Sequence, residues 1–339
     1  MKTSWVVLLF AARNALADVF PPPRGPYAVQ WTSSELVDES RLDPFNGTHL
    51  RRIMVSHFTP IEHEHCQAQT VPYMPAQVAA LEDAILVEYL GGVYWPEGVL
   101  AGLEIQTCRA TCNTTSKQDF PTILLGSGLN TTRLFYSATA QQLASMGYRV
   151  ITMDHPYETD VVLFPNGDII FSALGPVSPN NTAPLEFALD VRTQDVTNET
   201  RIAGGLNLDG GLWGDVQYTG VERPFLVVGS MDHNSTTDES WSSFFDAMDE
   251  KHSEVWLKEL SVRGALHGSY CDFSLIGDVT GLRENQDLEQ FFFGTITGER
   301  VMEVMREYIS DYVDFTLGGS DEGFLAGPSS DFPEVEFLR

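Results

Sequence analysis

Positive charge is scarce in this sequence. Its 339 residues hold 20 Lys and Arg against 47 Asp and Glu, a formal net charge of −27. That balance argues against nucleic acid and anionic membrane surfaces as partners, since both repel a strongly acidic protein. Long apolar runs are also lacking. The apolar stretch near the start, Trp5–Ala12, is too short to cross a bilayer. Cysteine is limited to Cys66, Cys108, Cys112 and Cys271. An even number in an oxidising compartment allows two disulfides, in one of three connectivities. Cys108 tied locally to Cys112, or either of these reaching Cys66, are the favoured pairings, and the sequence alone does not choose. No internal repeat or domain boundary stands out. The expectation is one α/β domain over residues 18–317 and an acidic, glycine-rich, loosely held tail over 318–339.

What is present begins with a secretory pattern over residues 1–17. Lys2 supplies a positive start, Trp5–Ala12 an apolar core, and Ala15-Leu16-Ala17 an A-x-A cleavage site. Six N-x-[ST] sequons, at Asn46, Asn113, Asn130, Asn180, Asn198 and Asn234, agree with an extracellular destination as a set.

The chain is organised around Pro121–Tyr157. Thr122–Leu125 is a short apolar run of β type, and Gly126-Ser127-Gly128-Leu129-Asn130 is a tight loop. Leu134, Phe135, Ala138, Leu143, Ala144 and Met146 follow at helical spacing, with Gly147 as a stop and Val150–Met153 as the next strand. Such a βαβ unit gives parallel strands, and the loop after its first strand is where α/β folds place ligands and backbone donors. Upstream, Tyr27–Thr32 and Arg52–Phe58 read as strands, Pro75–Leu90 as a helix and Gly91–Ser116 as loop. Downstream, Pro165-Asn166-Gly167-Asp168 marks a hairpin, Leu185–Val196 and Ser240–Met248 are helix candidates, and Arg201–Leu208, Arg223–Gly229 and Val255–Leu260 are strands. Ile296–Phe315 predicts a long amphipathic helix.

Asp209 ends a strand, and His267 lies in a loop after the last core strand. Acid before histidine is the chain order of an α/β hydrolase, in which the acid orients the imidazole and the imidazole moves protons. Each residue also has a plainer explanation, as a turn aspartate before Gly210 and as a hydrogen-bonded loop histidine. His63-Glu64-His65-Cys66 reads as a charged loop beside a disulfide cysteine, because a zinc site needs a third ligand that is not identifiable. His155 reads as a structural loop histidine, His233 as a surface-loop residue before a sequon, and Phe291-Phe292-Phe293 as core.

A wider set of residues carries a resemblance: Gly25-Pro26-Tyr27, Arg52–Ser56, Pro72-Tyr73-Met74-Pro75, Gly128-Leu129, Tyr136, Leu143–Tyr148, Asp154–Tyr157, Arg192, Asp195, Leu206–Gly210, Pro224-Phe225-Leu226, Ser240-Trp241, His267 and Asp272-Phe273-Ser274. In this order they resemble the secreted platelet-activating-factor acetylhydrolases of the lipoprotein-associated type and their fungal relatives, from about residue 25 to about residue 315. The resemblance implies an α/β-hydrolase fold. It implies esterase chemistry on short or oxidised sn-2 acyl chains of phospholipids, related to 1-alkyl-2-acetylglycerophosphocholine hydrolysis, with no metal or cofactor. It puts Asp209 and His267 on the family's acid and base, and the Leu129 N–H on one oxyanion donor.

The nucleophile is missing. That fold presents its serine in G-x-S-x-G at a strand-to-helix turn, and no serine of this chain has that context. Ser127 sits in the oxyanion loop, Ser230 precedes Met231, Ser269 lies beside the base, and Ser320 is in the tail. Leu185–Val196 resembles the helix before the nucleophile strand, and Thr197–Ile202 the lead-in to the acid strand. They are joined directly, so the expectation is an exon-sized deletion of roughly 30–50 residues at 196/197. The alternative is a secreted, non-catalytic protein that keeps the pocket for a lipid or ester.

Overall fold

The computed structural model describes residues 17–111, 119–175, 181–196 and 202–339. The signal pattern up to Leu16, Cys112, Asn113, Asn180, Asn198 and the chain just after Val196 lie outside the described residues.

A short strand β1 (Asp18–Val19) leads into a long antiparallel pair, β2 (Ala28–Leu42) and β3 (Leu50–Ile61). Pro60 lies beyond the part of β3 that pairs with its other neighbour, where a missing N–H is tolerated. β4 (Cys66–Pro72), helix α1 (Ala76–Tyr89) and β5 (Leu103–Ala110) follow. β4 and β5 pair antiparallel, and β1 pairs parallel with the other side of β5. The expected loop over 91–116 therefore contains a strand. Its inward residues, Leu103, Ile105 and Cys108, are separated by polar ones, and the alternation is too mixed to read without its partner.

Cys66 and Cys108 are disulfide-bonded across this pair, with Cα atoms 5.2 Å apart. The local Cys108–Cys112 pairing is thus excluded. Cys271 is a buried free thiol, and burial pushes its pKa well up. The bridge closes a sequence separation of 42 residues, for which the loop-entropy relation gives about 4 kcal/mol. The Cys66→Ala/Cys108→Ala double variant is expected to lose about 3–4 kcal/mol in urea unfolding relative to the oxidised protein.

The central βαβ unit forms as expected: β6 (Thr122–Gly126), α2 (Ser137–Ser145) and β7 (Arg149–Asp154), with β6 parallel to β7. The hairpin strands β8 (Val161–Leu163) and β9 (Ile169–Phe171) come next, then α3 (Ala183–Val196). The rest of the chain supplies β10 (Gly205–Leu208), α4 (Val216–Thr219), β11 (Phe225–Gly229), α5 (Glu239–Lys251) and β12 (Leu257–Val262). It ends with α6 (Phe273–Thr280), α7 (Gln286–Leu288), α8 (Gly298–Thr316) and β13 (Val335–Phe337).

Residues 318–339 are not a loose tail. β13 pairs antiparallel with β12, and Leu325, Phe332 and Val335 are buried. Phe332 stacks edge-on against Tyr308 of α8, so apolar anchors hold this acidic segment down.

The main strands form two four-stranded sheets, ordered β2-β3-β7-β6 and β10-β11-β12-β13. β6 is an edge of the first and β10 an edge of the second, and each is parallel to its inner neighbour. One apolar core lies under both. Ile123 and Leu125 of β6 and Leu206 and Leu208 of β10 pack against it, together with Leu143 and Ala144 of α2 and Val301, Met305, Tyr308 and Tyr312 of α8. Those α8 residues recur every three or four positions, the stripe an amphipathic helix needs. The Tyr312 hydroxyl donates to the carbonyls of Gly205 and Pro224 at 2.6 Å and fixes the start of β10.

Candidate active site

Asp209 stands immediately after β10, in the left-handed region at φ 59°. A non-glycine residue there is held by its surroundings. Its buried carboxylate accepts from the Ser230 N–H at 2.5 Å and from His267 Nδ1 at 2.8 Å. His267 opens a short 3-10 turn after β12. With Nδ1–H committed to Asp209, its Nε2 is left as the proton-accepting atom, and Nε2 meets no partner among the described residues. The imidazole is 75 % exposed. The acid and base singled out in the sequence therefore come together, and the imidazole opens to solvent on its reactive side.

A second histidine joins them. His233 donates through Nδ1 to Asp209 at 2.8 Å and through Nε2 to Asp238 at 3.0 Å. It is not a surface-loop bystander. Asp238 also caps α5, accepting from the Ser240 and Trp241 amides. The Asp-His dipeptide just past the end of β11 was the only sequence signal, and nothing in it points to Asp209. Hydrogen bonding to Asp209, opposed by burial and reinforced by Asp238, raises the His233 pKa to about 9. Burial works to raise the pKa of Asp209, but the bonds from His233, His267 and Ser230 outweigh it and hold that pKa at about 2. His233 is therefore a fixed cation at neutral pH, bridging two carboxylates.

The pH dependence follows from the sign. The raised pKa of His233 means that its stabilisation is fully present below its ordinary value of 6.5 and is lost as pH rises through about 9. That contribution is on the order of 2 kcal/mol. Urea unfolding of the protein between pH 6 and pH 10 is expected to show this alkaline loss, and His233→Gln is expected to flatten it.

At the carboxyl end of β6, the Gly128 N–H donates to the Tyr136 hydroxyl at 2.9 Å, and the Asn130 N–H to Glu158 at 3.2 Å. The Leu129 N–H between them has no acceptor among the described residues and is the one left for a ligand oxygen. Arg192 of α3 fixes this loop, donating to the Ser127 carbonyl at 2.6 Å and to both Glu158 oxygens at 2.7 Å. Asn130 is exposed with φ 54°.

The two halves of the site are tied by Asp272, five residues beyond His267. Its N–H donates to the Phe135 carbonyl at 2.7 Å, and its buried carboxylate accepts from the Tyr73 hydroxyl and the Ala138 and Thr139 amides at the start of α2. Among the described residues no serine hydroxyl bonds His267 Nε2. Ser127, Ser230 and Ser269 are buried, and the Ser269 hydroxyl donates to the Phe293 carbonyl at 3.1 Å.

The remaining candidates have structural roles. His155 is buried against Asp195 at 2.8 Å, and Arg51 reaches the same carboxylate at 2.6 Å. His63–His65 form a short turn before Cys66, with His63 and Glu64 exposed. Phe292 and Phe293 are core, but Phe291 is exposed. The Asn46 amide nitrogen donates to Tyr157 at 3.0 Å, whereas Asn234 turns its side-chain oxygen to Thr236. No helix of the described residues is long and apolar enough to cross a membrane.

An acid–histidine pair at the carboxyl ends of one sheet, and an unpaired loop amide at the carboxyl end of another, can orient an imidazole and meet an oxyanion. Comparison with known proteins agrees with that chemistry. Residues 19–162 match the family model for platelet-activating factor acetylhydrolase, isoform II. A probable 1-alkyl-2-acetylglycerophosphocholine esterase of Arthroderma benhamiae is 39% identical over 390 residues, covering 100% of both chains. Among solved structures, a ferulic acid esterase from Streptomyces cinnamoneus superposes with a TM-score of 0.70 at 23% identity, covering 95% of this chain and 100% of that one, and it shows the shared fold. The chain belongs to the isoform II family of platelet-activating factor acetylhydrolases, esterases of the α/β-hydrolase fold.

Proposed function

We propose that the gene product is a secreted serine esterase for short or oxidised sn-2 acyl chains of phospholipids, and that this chain lacks the segment carrying its nucleophile. The observation that carries the second half is a pair of strand edges with no neighbour among the described residues. β6 and β10 each stop a four-stranded sheet, yet both lie on one core. The alignment with the Arthroderma relative supplies a length: its 390 positions exceed the 339 residues here by 51. A strand, turn and helix of ordinary size fit within that difference.

In the complete protein the serine Oγ attacks the ester carbonyl while His267 Nε2 takes the hydroxyl proton. The Leu129 N–H meets the oxyanion, and Asp209 holds the imidazole through Nδ1. Collapse of the tetrahedral intermediate breaks the ester bond, and His267 returns the proton to the departing glycerol oxygen. Water then repeats the sequence on the acyl-enzyme. The disulfide and the sequons support an extracellular site of action. In that setting the exposed Asn130 is a readier glycan acceptor than the half-buried Asn46, whose amide nitrogen is bonded to Tyr157.

Sequencing transcripts across the Val196–Thr197 junction tests this reading. The expected result is an in-frame insert encoding G-x-S-x-G. Direct joining in every transcript would leave a chain with an acid and a base but no nucleophile, the lipid- or ester-binding alternative.

A further inference from the structure

Two imidazoles share Asp209. His267 Nδ1 donates to its Oδ2 and His233 Nδ1 to its Oδ1, each at 2.8 Å. The two histidines differ at their other nitrogens. His267 Nε2 meets no partner among the described residues, whereas His233 Nε2 donates to Asp238 at 3.0 Å. An imidazole whose two nitrogens both face carboxylates keeps a proton on each and is a cation. The loop after β11 is shaped to hold it there. Gly229 lets the chain turn back, because a Cβ at that position would meet the His233 carbonyl oxygen at 2.1 Å. The His233 N–H donates to the Ser230 carbonyl at 3.1 Å, and its ring lies against the fully buried Trp241 with centroids 4.3 Å apart. The Ser230 N–H already fixes Asp209 Oδ1 at 2.5 Å. His233 is therefore not needed to aim the carboxylate, and what it adds is charge.

We propose that His233 is a positioning residue for the reaction: its positive charge, set on the far oxygen of Asp209, keeps His267 unprotonated and able to accept a proton in acidic surroundings. The role of His267 as base rests on the esterase reading above. A lone carboxylate beside an imidazole favours the imidazolium. Here two carboxylates, Asp209 and Asp238, surround one imidazolium, His233, so the group that His267 meets carries a net charge of −1. Without the His233 charge that group would carry −2, and a proton on Nε2 would be held more tightly. Other ionisable groups of the surrounding elements do not offset this. The Tyr270 hydroxyl donates to the Gly229 carbonyl at 2.6 Å, and burial pushes its pKa well up, as it does for the Cys271 thiol, so both stay neutral. Glu259 of β12 is taken up by the Ser235 amide and hydroxyl, at 2.6 and 2.7 Å, further along the loop.

The test treats the full chain as it stands with diethyl pyrocarbonate and reads the rate at each histidine by peptide mass spectrometry. The reagent acylates unprotonated imidazole. Nε2 forms a bond to the carbonyl carbon, and the departing ethyl carbonate takes up the Nδ1 proton and falls to ethanol and carbon dioxide. At pH 6, His267 is expected to react at least ~3-fold faster in the unaltered chain than in His233→Gln, which keeps a donor for Asp209 and lacks the charge. At pH 8 the two rates should be equal, and His233→Lys should restore the pH 6 rate. A purely structural role would change the rate at both pH values. Equal rates at pH 6 in a folded His233→Gln, or a difference that persists at pH 8, overturn the proposal. Nitrogen-15 imidazole resonances of the unaltered chain give a second measurement. At pH 7 they are expected to show two ring protons on His233 and one, on Nδ1, on His267. A single ring proton on His233 overturns the proposal even where the variants do not fold. The esterase reading fails separately: an inert protein after insertion of the nucleophile segment sinks that reading and leaves the rates of this chain untouched.

Discussion

Restoring a strand, a G-x-S-x-G turn and a helix between Val196 and β10 raises short-chain ester hydrolysis by about 10⁴–10⁶-fold over the chain as it stands. The magnitude comes from how serine hydrolases lose activity. Removing the serine alone removes nearly everything the three residues supply together, about 10⁶-fold, and leaves the smaller acceleration due to binding and the oxyanion donors. On the proposed reading the acid, the base and the donor amide wait only for the nucleophile: the Leu129 N–H has no acceptor among the described residues, and His267 Nδ1 bonds Asp209 at 2.8 Å. What the restored segment adds is the atom that Nε2 lacks. The same insertion should raise the unfolding midpoint, because it pairs two strand edges and covers Leu124. Hydrolysis of p-nitrophenyl butyrate and urea unfolding, run on both proteins, measure the two effects.

Asp272→Ala is expected to cost at least about 4 kcal/mol and to leave little folded protein at 37 °C. The carboxylate is fully buried and accepts from Tyr73 Oη at 2.8 Å, Ala138 N at 2.8 Å, Thr139 N at 3.0 Å and Thr139 Oγ1 at 2.9 Å. These donors come from the stretch after β4 and from the first turn of α2, where amides have no partner inside their own helix. Truncation strands all of them away from water. Tyr73→Phe removes one donor and leaves the others in place, so its cost should be near 1–2 kcal/mol. Urea midpoints for the two variants compare the costs. A small loss for Asp272→Ala would mean that water reaches α2 through the loop after His267.

The parts of the molecule legible in the sequence are those whose residues state their own environment. The βαβ unit around Gly126–Asn130 could be read because the apolar period changes from strand to helix and back within a few residues. Asp209 and His267 could be placed because each follows a core strand, in the chain order of an α/β hydrolase. His233 could not. Its role depends on a loop after β11 folding back over the end of β10, and no local spacing records that. β4 and β5 were hidden by polar residues on their outer faces and by the distance between partners. β13 was hidden by its acidic surroundings, although Phe324, Leu325, Phe332 and Val335 were anchors in plain view. The disulfide was open for a related reason, since it depends on the β4–β5 register that sequence spacing does not give.

The central claim is that this chain keeps an acid, a base and an oxyanion donor but no nucleophile. Fluorophosphonate treatment of the chain as it stands, followed by mass spectrometry of its peptides, tests that most directly. The account predicts no labelled serine and no hydrolysis of a short-chain p-nitrophenyl ester. Stoichiometric labelling of Ser127, Ser230 or Ser269, with hydrolysis abolished by His267→Ala, would contradict it and place the nucleophile inside the chain.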